Sequence, residues 1–410
     1  MHVVIFEGWH WKRFAPLALS RPVFTLASGM STLLEKQLRY LKPSRLSLWV
    51  RPEMAEHCRQ RLVPRMSVPT TVNQPLDDQP ALLVNGRTLH FVRFEYPHQP
   101  CIDLDELETV RTAFVNIPDL SPADVMERSD RWQSLRDMPR TMPQTRLANS
   151  LCDLIGWNEE SLIDDWACLQ KQPPPRPAGA YHLVNEKDVW LDEGVSLQPG
   201  SVLDATRGPI FVGDHANVGA NAVVHGPCFI GRYCQIMPMT FIKAGTSIGM
   251  MSKVGGELSN SILLGYTNKV HYGYVGDSYI GKWVNLGAGT STSNMKNTYG
   301  EICTRIEGRD TLSGRHFLGS LMGDHVKTAV QSVLKAGAYV GFCSMVGSGD
   351  HLPKFIPSYS FITEQGAQPY TLEKAIEVTR RVFARRDRAW TAHDEQIMRY
   401  VAAISPAIEC

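Results

Sequence analysis

An α/β domain, a parallel β-helix and a C-terminal helical segment are what this 410-residue sequence predicts, on three patterns. Short apolar runs alternate with helical spacing over the first 170 residues; apolar residues recur every six positions from Leu191; and an apolar stripe at helical spacing runs from Thr371 to Ile404. A six-residue repeat is one flat face of a coil. It cannot bury its apolar side until neighbouring coils stack on it, so such a run must wind into a prism.

Taken in order, His2–Phe6 reads as a short buried strand, Met30–Tyr40 as a helix with Leu33, Leu34, Leu38 and Leu41 on one face, and Leu46–Val50 as the next strand. Ala81–Val84 and Ala113–Val115 are further strands, so a mostly parallel sheet is expected. A long loop with Lys12, Arg13 and Arg21 separates the first strand from the first helix. Ligands of open α/β sheets bind at the carboxyl ends of the strands, where this loop begins. Pro139 and Pro143 precede an amphipathic connector near Asn149–Leu169, and Gln172-Pro-Pro-Pro-Arg-Pro177 follows as a stiff spacer. The first domain with its connector is therefore assigned to residues 1–170 and the proline-rich linker to 171–185.

Residues 186–365 carry the repeat: Val212, Val218, Val224, Ile230, Ile236, Ile242, Ile248 and Val254 hold one register. Several are followed by glycine (213, 219, 231, 249, 255), which suits a tight corner between faces. The period resumes at Ile280, Leu286, Leu318, Val340 and Val346, and residues 289–315 read as an excursion. Residues 366–410 form the helical segment, with Arg380, Arg381, Arg385, Arg386 and Arg388 on its solvated face.

The 42 basic and 41 acidic side chains leave a net charge of +1, which gives no electrostatic footprint for nucleic acid or an anionic membrane. Nine cysteines, an odd and scattered set with no Cys-x-x-Cys pair, read as reduced thiols of a cytoplasmic protein. His10, Lys12 and Arg13 follow too few apolar residues for a signal peptide, and no apolar run reaches the roughly 18 residues that span a bilayer.

The segment Glu257–Asn294 carries His271-x-x-Tyr274-x-Gly276-Asp277 and then Val284-Asn285-Leu286-Gly287-Ala288-Gly289-Thr290. This block resembles the acetyltransferase domain of the GlmU-type bifunctional enzymes, which acetylate glucosamine 1-phosphate and then make UDP-N-acetylglucosamine. The likeness is closest over about residues 255–295, and it implies a left-handed β-helix, a homotrimer and an arm at 289–315 reaching a neighbour. It further implies His271 as the general base, Lys243, Tyr274, Asn285 and Asn294 around the sugar phosphate, and Ala288, Ser320 and Ala336 against acetyl-CoA. The backbone N–H groups of the Gly-Ala-Gly turn would serve the developing oxyanion. The family's lysine two residues after the Glu is Ser259 here, so Lys253 or Lys269 must replace it or the substrate differs.

The first domain is similar to sugar-nucleotide pyrophosphorylases in the order Gly8, Arg13, Pro16-Leu17 and Arg21-Pro22, and it begins much like a shortened nucleotidyltransferase found fused to hexapeptide domains. That likeness implies UTP as a partner, Gly8, Arg13 and Arg21 at the nucleotide, and Mg²⁺. Arg87 stands where the family has a metal-binding Asp, leaving Asp103 or Asp105 to substitute. The competing reading is a non-catalytic trimeric scaffold or sugar-nucleotide sensor; a third keeps acetyl transfer alone, with the first domain a relic.

Overall fold

The computed structural model describes residues 1–169, 174–347 and 352–409, so part of the predicted proline spacer lies outside the described residues. Packing divides the chain into two units. One comprises Met1–Phe14, Arg21–Leu26 and Ser31–Asn149; the other comprises Ala15–Ser20, Ala27–Met30 and Ser150–Cys410. The connector thus groups with the second unit by contact.

The first unit is built on a six-stranded sheet of β1 (His2–Phe6), β2 (Arg45–Trp49), β3 (Thr70–Val72), β4 (Ala81–Asn85), β5 (Cys101–Leu104) and β6 (Val110–Val115), in the order β3-β2-β1-β4-β6-β5. Three ladders are parallel. β6 runs antiparallel to β4 and β5, because Cys101–Val115 folds as a hairpin whose turn is capped by Asp105, which accepts from the N–H groups of Leu107 and Thr109. Helix α1 (Leu33–Leu41) starts at a reciprocal cap between Thr32 and Glu35 and stops at left-handed Lys42. Beside β4, His90 is buried and hydrogen-bonds Thr88 Oγ1 at 3.3 Å; burial holds its pKa down at about 4. The unfolded chain binds that proton near 6.5, so this contribution to stability is complete above about pH 6.5 and is lost as pH falls toward 4. Urea denaturation of the first unit is expected to show a His90 share of up to about 3 kcal/mol in the loss between pH 7 and 4, and His90→Phe should remove that share while leaving those of His2 and His10, which burial lowers likewise.

The second unit winds as a three-faced parallel β-helix. Its faces start at His182–Val184, Val189–Leu191 and Ser196–Leu197, and the second face carries nine strands among the described residues. Ile210 pairs with Cys228 and Cys228 with Thr246, so a regular coil is 18 residues, three repeats of six. The eight apolar residues from Val212 to Val254 are all 0 or 1 % exposed and form the column of the core, as the period predicts.

The glycines that follow them have a different reason from the one expected. Left-handed backbone at one corner is carried by His215, Tyr233, Met251, Tyr266, Trp283 and His325. Gly219 and Gly249 are needed because the next coil lies against them: a Cβ would stand 2.5 Å from Pro238 N and 2.6 Å from the Leu264 carbonyl carbon.

The expected excursion begins later than residue 289, since Ser291–Thr292 still pairs with Val333–Leu334. What leaves the coil is a hairpin, Cys303–Ile306 with Arg309–Leu312. It folds onto its own chain: Ile302 is buried, Arg305 donates to the Glu409 carbonyl (3.2 Å), and its guanidinium lies 4.6 Å from the Phe355 ring.

The C-terminal segment is two helices rather than one, α2 (Leu372–Ala384) and α3 (Ala392–Glu409), broken where Asp387 turns left-handed. Phe383 stacks on Trp283 at 4.4 Å, and Trp283 on Tyr266 at 4.2 Å, so the α2 end is docked on the prism corner by aromatic faces. Of the arginines predicted on its solvated face, Arg380, Arg381, Arg385 and Arg388 are exposed and Arg386 is half-buried. Arg380 pairs with Glu395 and Arg381 with Glu377, while Arg386 donates to Asn268 Oδ1 (2.6 Å) and Arg388 to the Tyr266 hydroxyl. The eight described cysteines are free thiols, and among the described residues no helix is long and apolar enough to cross a membrane.

Candidate functional site

The segment of interest lies on two consecutive coils. Strand Asn268–Lys269 ends the third face, residues 270–273 turn the corner, and Tyr274–Gly276 resumes the first face. The corner is held from both sides: Glu257 N donates to Gly273 O (3.1 Å) and Gly289 N to Tyr272 O (3.0 Å). His271 sits on it exposed, and its imidazole makes no side-chain hydrogen bond among the described residues. A neutral imidazole in that setting is open to a substrate proton.

Beside the corner, the first face carries a row of polar side chains. Asn294 donates to the Tyr274 hydroxyl (3.0 Å) and to Asp277 Oδ2 (2.6 Å), and Asn260 donates to Asp277 Oδ1 (2.7 Å). Asp277 thus holds both asparagines. Burial raises the Tyr274 phenol, with the carboxylates of Asp277 and Glu257 adding to the shift, so the phenol stays protonated as a hydrogen-bond donor. One coil below, Glu257 pairs in register with Tyr274, and Lys243 Nζ meets Glu257 Oε1 at 2.6 Å. Lys243 therefore already carries an acidic partner.

Ser259 lies on the same face, in register with Gly276. Neither lysine suggested as a replacement for the missing cation stands there. Lys253 lies on the third face opposite Asn268, and Lys269 is 2 % exposed inside the prism.

Of the remaining predicted residues, Ala288 shares the corner with His271 and the others do not. Asn285 lies across the corner on the third face, where its Oδ1 accepts from Asn268 Nδ2 at 3.3 Å. Ala288 is at the same corner as His271, one coil on. Ser320 is fully buried at the corner leading into the second face, its N–H donating to Ser278 Oγ at 2.9 Å. Ala336 is also buried, just before that corner on the following coil. The N–H groups of Gly287 and Gly289 are taken by Thr328 Oγ1 and Tyr272 O, which leaves Ala288 N–H of the turn for an oxyanion.

In the first unit, a cleft of about 130 Å³ opens at the carboxyl ends of β1 and β4, lined by Phe6, Gly8, His10, Asn85, Arg128 and Trp132 among others. Of the three residues assigned to a nucleotide, only Gly8 lines it. Arg13 Nε is bound to Asn149 O (2.8 Å), and Arg21 is 6 % exposed with its carbonyl accepting from Arg51. His10, Arg128 and Trp132 were not singled out in the sequence because their spacing carries no motif. Burial, with Arg87, Arg13 and Arg128 nearby, lowers His10 to about 4, so the cleft is a cationic environment.

The donors for Mg²⁺ do not fit. Arg87 is buried with Nη1 on Ala148 O (2.8 Å), Asp103 is paired with Arg111 (3.1 Å), and Asp105 is spent on its turn. Among the described residues no three His, Cys, Asp or Glu side chains converge to hold a metal ion.

With this geometry in view, residues 3–173 match the family model described as sugar nucleotidyl transferase. The bifunctional protein GlmU of Methanococcus vannielii is 36 % identical over 134 residues, 33 % of this chain and 31 % of its own. That of Desulfitobacterium hafniense is 30 % identical over 211 residues, 46 % and 42 % of the two chains. Over these stretches the chain is similar to GlmU proteins. A bifunctional sugar-1-phosphate nucleotidylyltransferase/acetyltransferase of Sulfurisphaera tokodaii is 28 % identical over 191 residues, 41 % and 47 % of the two chains. The chain thus spans less than half the length of each of these relatives. A solved Arabidopsis UDP-N-acetylglucosamine acyltransferase covers 56 % of the chain and 92 % of its own at 14 % identity, with a TM-score of 0.28, too loose a likeness to argue from.

Proposed function

We propose that the chain is a transferase of sugar-nucleotide biosynthesis whose β-helix moves an acetyl group from acetyl-CoA to the amine of an amino sugar 1-phosphate such as glucosamine 1-phosphate. The observation that carries this reading is an exposed imidazole on a braced corner, next to a row of hydrogen-bonding side chains on one face. His271 takes the proton of the attacking amine as the nitrogen adds to the thioester carbonyl. The Ala288 N–H faces the oxyanion, and collapse expels the CoA thiolate, to which the proton passes. Tyr274, Asn294 and Lys243 hold the sugar phosphate, with Asn285 reaching from the other side of the corner.

The acetyl-CoA residues Ala288, Ser320 and Ala336 fall near two different corners, which suits a site completed by a second copy. A cytoplasmic homotrimer is therefore part of the proposal, and sedimentation equilibrium checks it. The test of activity is thiol release from acetyl-CoA with glucosamine 1-phosphate; no CoA release with any amino sugar phosphate would sink the reading.

For the first unit, nucleotidyl transfer from UTP to the sugar phosphate is the family expectation. The carbonyl-bound Arg87 and the ion-paired Asp103 favour a second reading, in which this unit binds a sugar nucleotide without transferring it. Pyrophosphate release from UTP and N-acetylglucosamine 1-phosphate with Mg²⁺ would exclude the second reading.

A further inference from the structure

Lys269 occupies a place where the six-residue rule puts an apolar side chain. It pairs in register with Val254, a core residue, and its coil lies below the one that places Leu286 in the same core. A lysine head there is costly unless its N–H groups are satisfied. Two of the three are: Nζ donates to Gly255 O at 2.9 Å, on the coil below, and to His271 O at 2.6 Å, on the corner itself.

The chain makes room for that head. Gly255 and Gly256 are consecutive; a Cβ on the first would stand 2.0 Å from Val270 O, and one on the second 3.0 Å from Lys269 Nζ and 2.7 Å from Gly273 O. Two adjacent glycines thus let the 270–273 corner and the ammonium settle onto the coil beneath. Burial also pulls the pKa of Lys269 down to about 8, as expected of a cation kept from water.

We propose that Lys269 is a positioning residue for His271: its ammonium, inside the prism, pins the His271 carbonyl and so fixes the corner from which the imidazole projects. The role of the clamp in catalysis rests on His271 being the base of the proposed acetyl transfer. The clamp itself does not. Placing a catalytic group on backbone braced from within is worth much, since a displacement of about 1 Å can cost about 10²-fold in rate. A lysine kept only to fill space would serve no better than the valine or leucine of the neighbouring coils.

The test is Lys269→Met in the full chain, which keeps length and removes the donors. The oligomer and the β-rich circular dichroism spectrum are expected to persist. The kcat for CoA release should fall about 10- to 100-fold with KM within about threefold of wild type, since an interaction that orients the base acts on the reaction step. Diethyl pyrocarbonate modification, followed residue by residue by mass spectrometry, should change in rate at His271 and not at His215, which is exposed on another coil. Lys269→Gln, which retains an amide donor, should recover part of both effects, and it decides the matter if the Met variant does not fold. Wild-type kcat and wild-type His271 reactivity in the folded variant would overturn the proposal. If the wild-type chain releases no CoA at all, the functional reading fails separately, and His271 reactivity alone still decides for or against the clamp.

Discussion

His271→Ala is expected to lower kcat for CoA release by about 10²–10⁴-fold while leaving assembly and thermal unfolding as in the wild type. The two halves of that expectation have separate causes. A positioned base lowers the barrier by removing the proton that the attacking amine must lose, and an Ala side chain cannot. The imidazole, however, is exposed and bonds to no side chain among the described residues, and the corner is held by backbone groups and Lys269 rather than by the His271 ring. Truncation there should stay within about 0.5 kcal/mol of wild-type stability. Added imidazole should restore part of the rate if the lost group is a base. Full activity in the variant would remove His271 from the mechanism, and a large drop in unfolding temperature would make its role structural.

How much of this was legible in the sequence depended on whether the signal was periodic. The column from Val212 to Val254 could be read because every coil there advances by a whole number of sixes. Lys269 could not, because the next coil is shortened: Val254 pairs with Lys269 only 15 residues on, so counting in sixes misses the inward position. The block around His271 was legible through family resemblance, but the partners of Tyr274 depend on which residues a coil stacks together. Asn294 and Asn260 reach one carboxylate from the coils on either side of Asp277, a juxtaposition no local motif encodes.

The break in the C-terminal helical segment was not legible because no Gly or Pro marks it at Asp387, where Phe383 and Arg386 dock onto the prism. The loop after β1 hid most. Arg13 and Arg21 look like ligand-binding arginines in sequence, but Ala15–Ser20 and Ala27–Met30 group with the second unit, where the Ala27 backbone forms two hydrogen bonds with the Tyr279 hydroxyl.

Arg51→Met is expected to destabilise the first unit by about 3–5 kcal/mol, the largest single effect on folding the structure implies. Glu7 extends from the end of β1 with a side chain 0 % exposed, and its Oε1 meets Arg51 Nη1 at 2.6 Å, with the arginine side chain 3 % exposed. The same oxygen accepts from Val23 N at 3.0 Å, while Arg51 Nη2 donates to Arg21 O at 3.2 Å and the guanidinium lies 3.8 Å from the Trp11 ring. One ion pair thus joins the ends of β1 and β2 to residues 21–23 of the loop. Removing the arginine leaves a carboxylate with no cation in a dry site, and it frees the loop backbone as well.

Urea denaturation followed by tryptophan fluorescence should show the first-unit transition moving to lower urea, with Trp11 changing environment before unfolding. The partner substitution separates the causes. Glu7→Gln added to Arg51→Met should recover most of the loss if the stranded charge is what matters, and little if the lost stacking and backbone contacts dominate. A shift below about 1 kcal/mol in Arg51→Met would mean that the pair contributes no more than an exposed one, contrary to its burial.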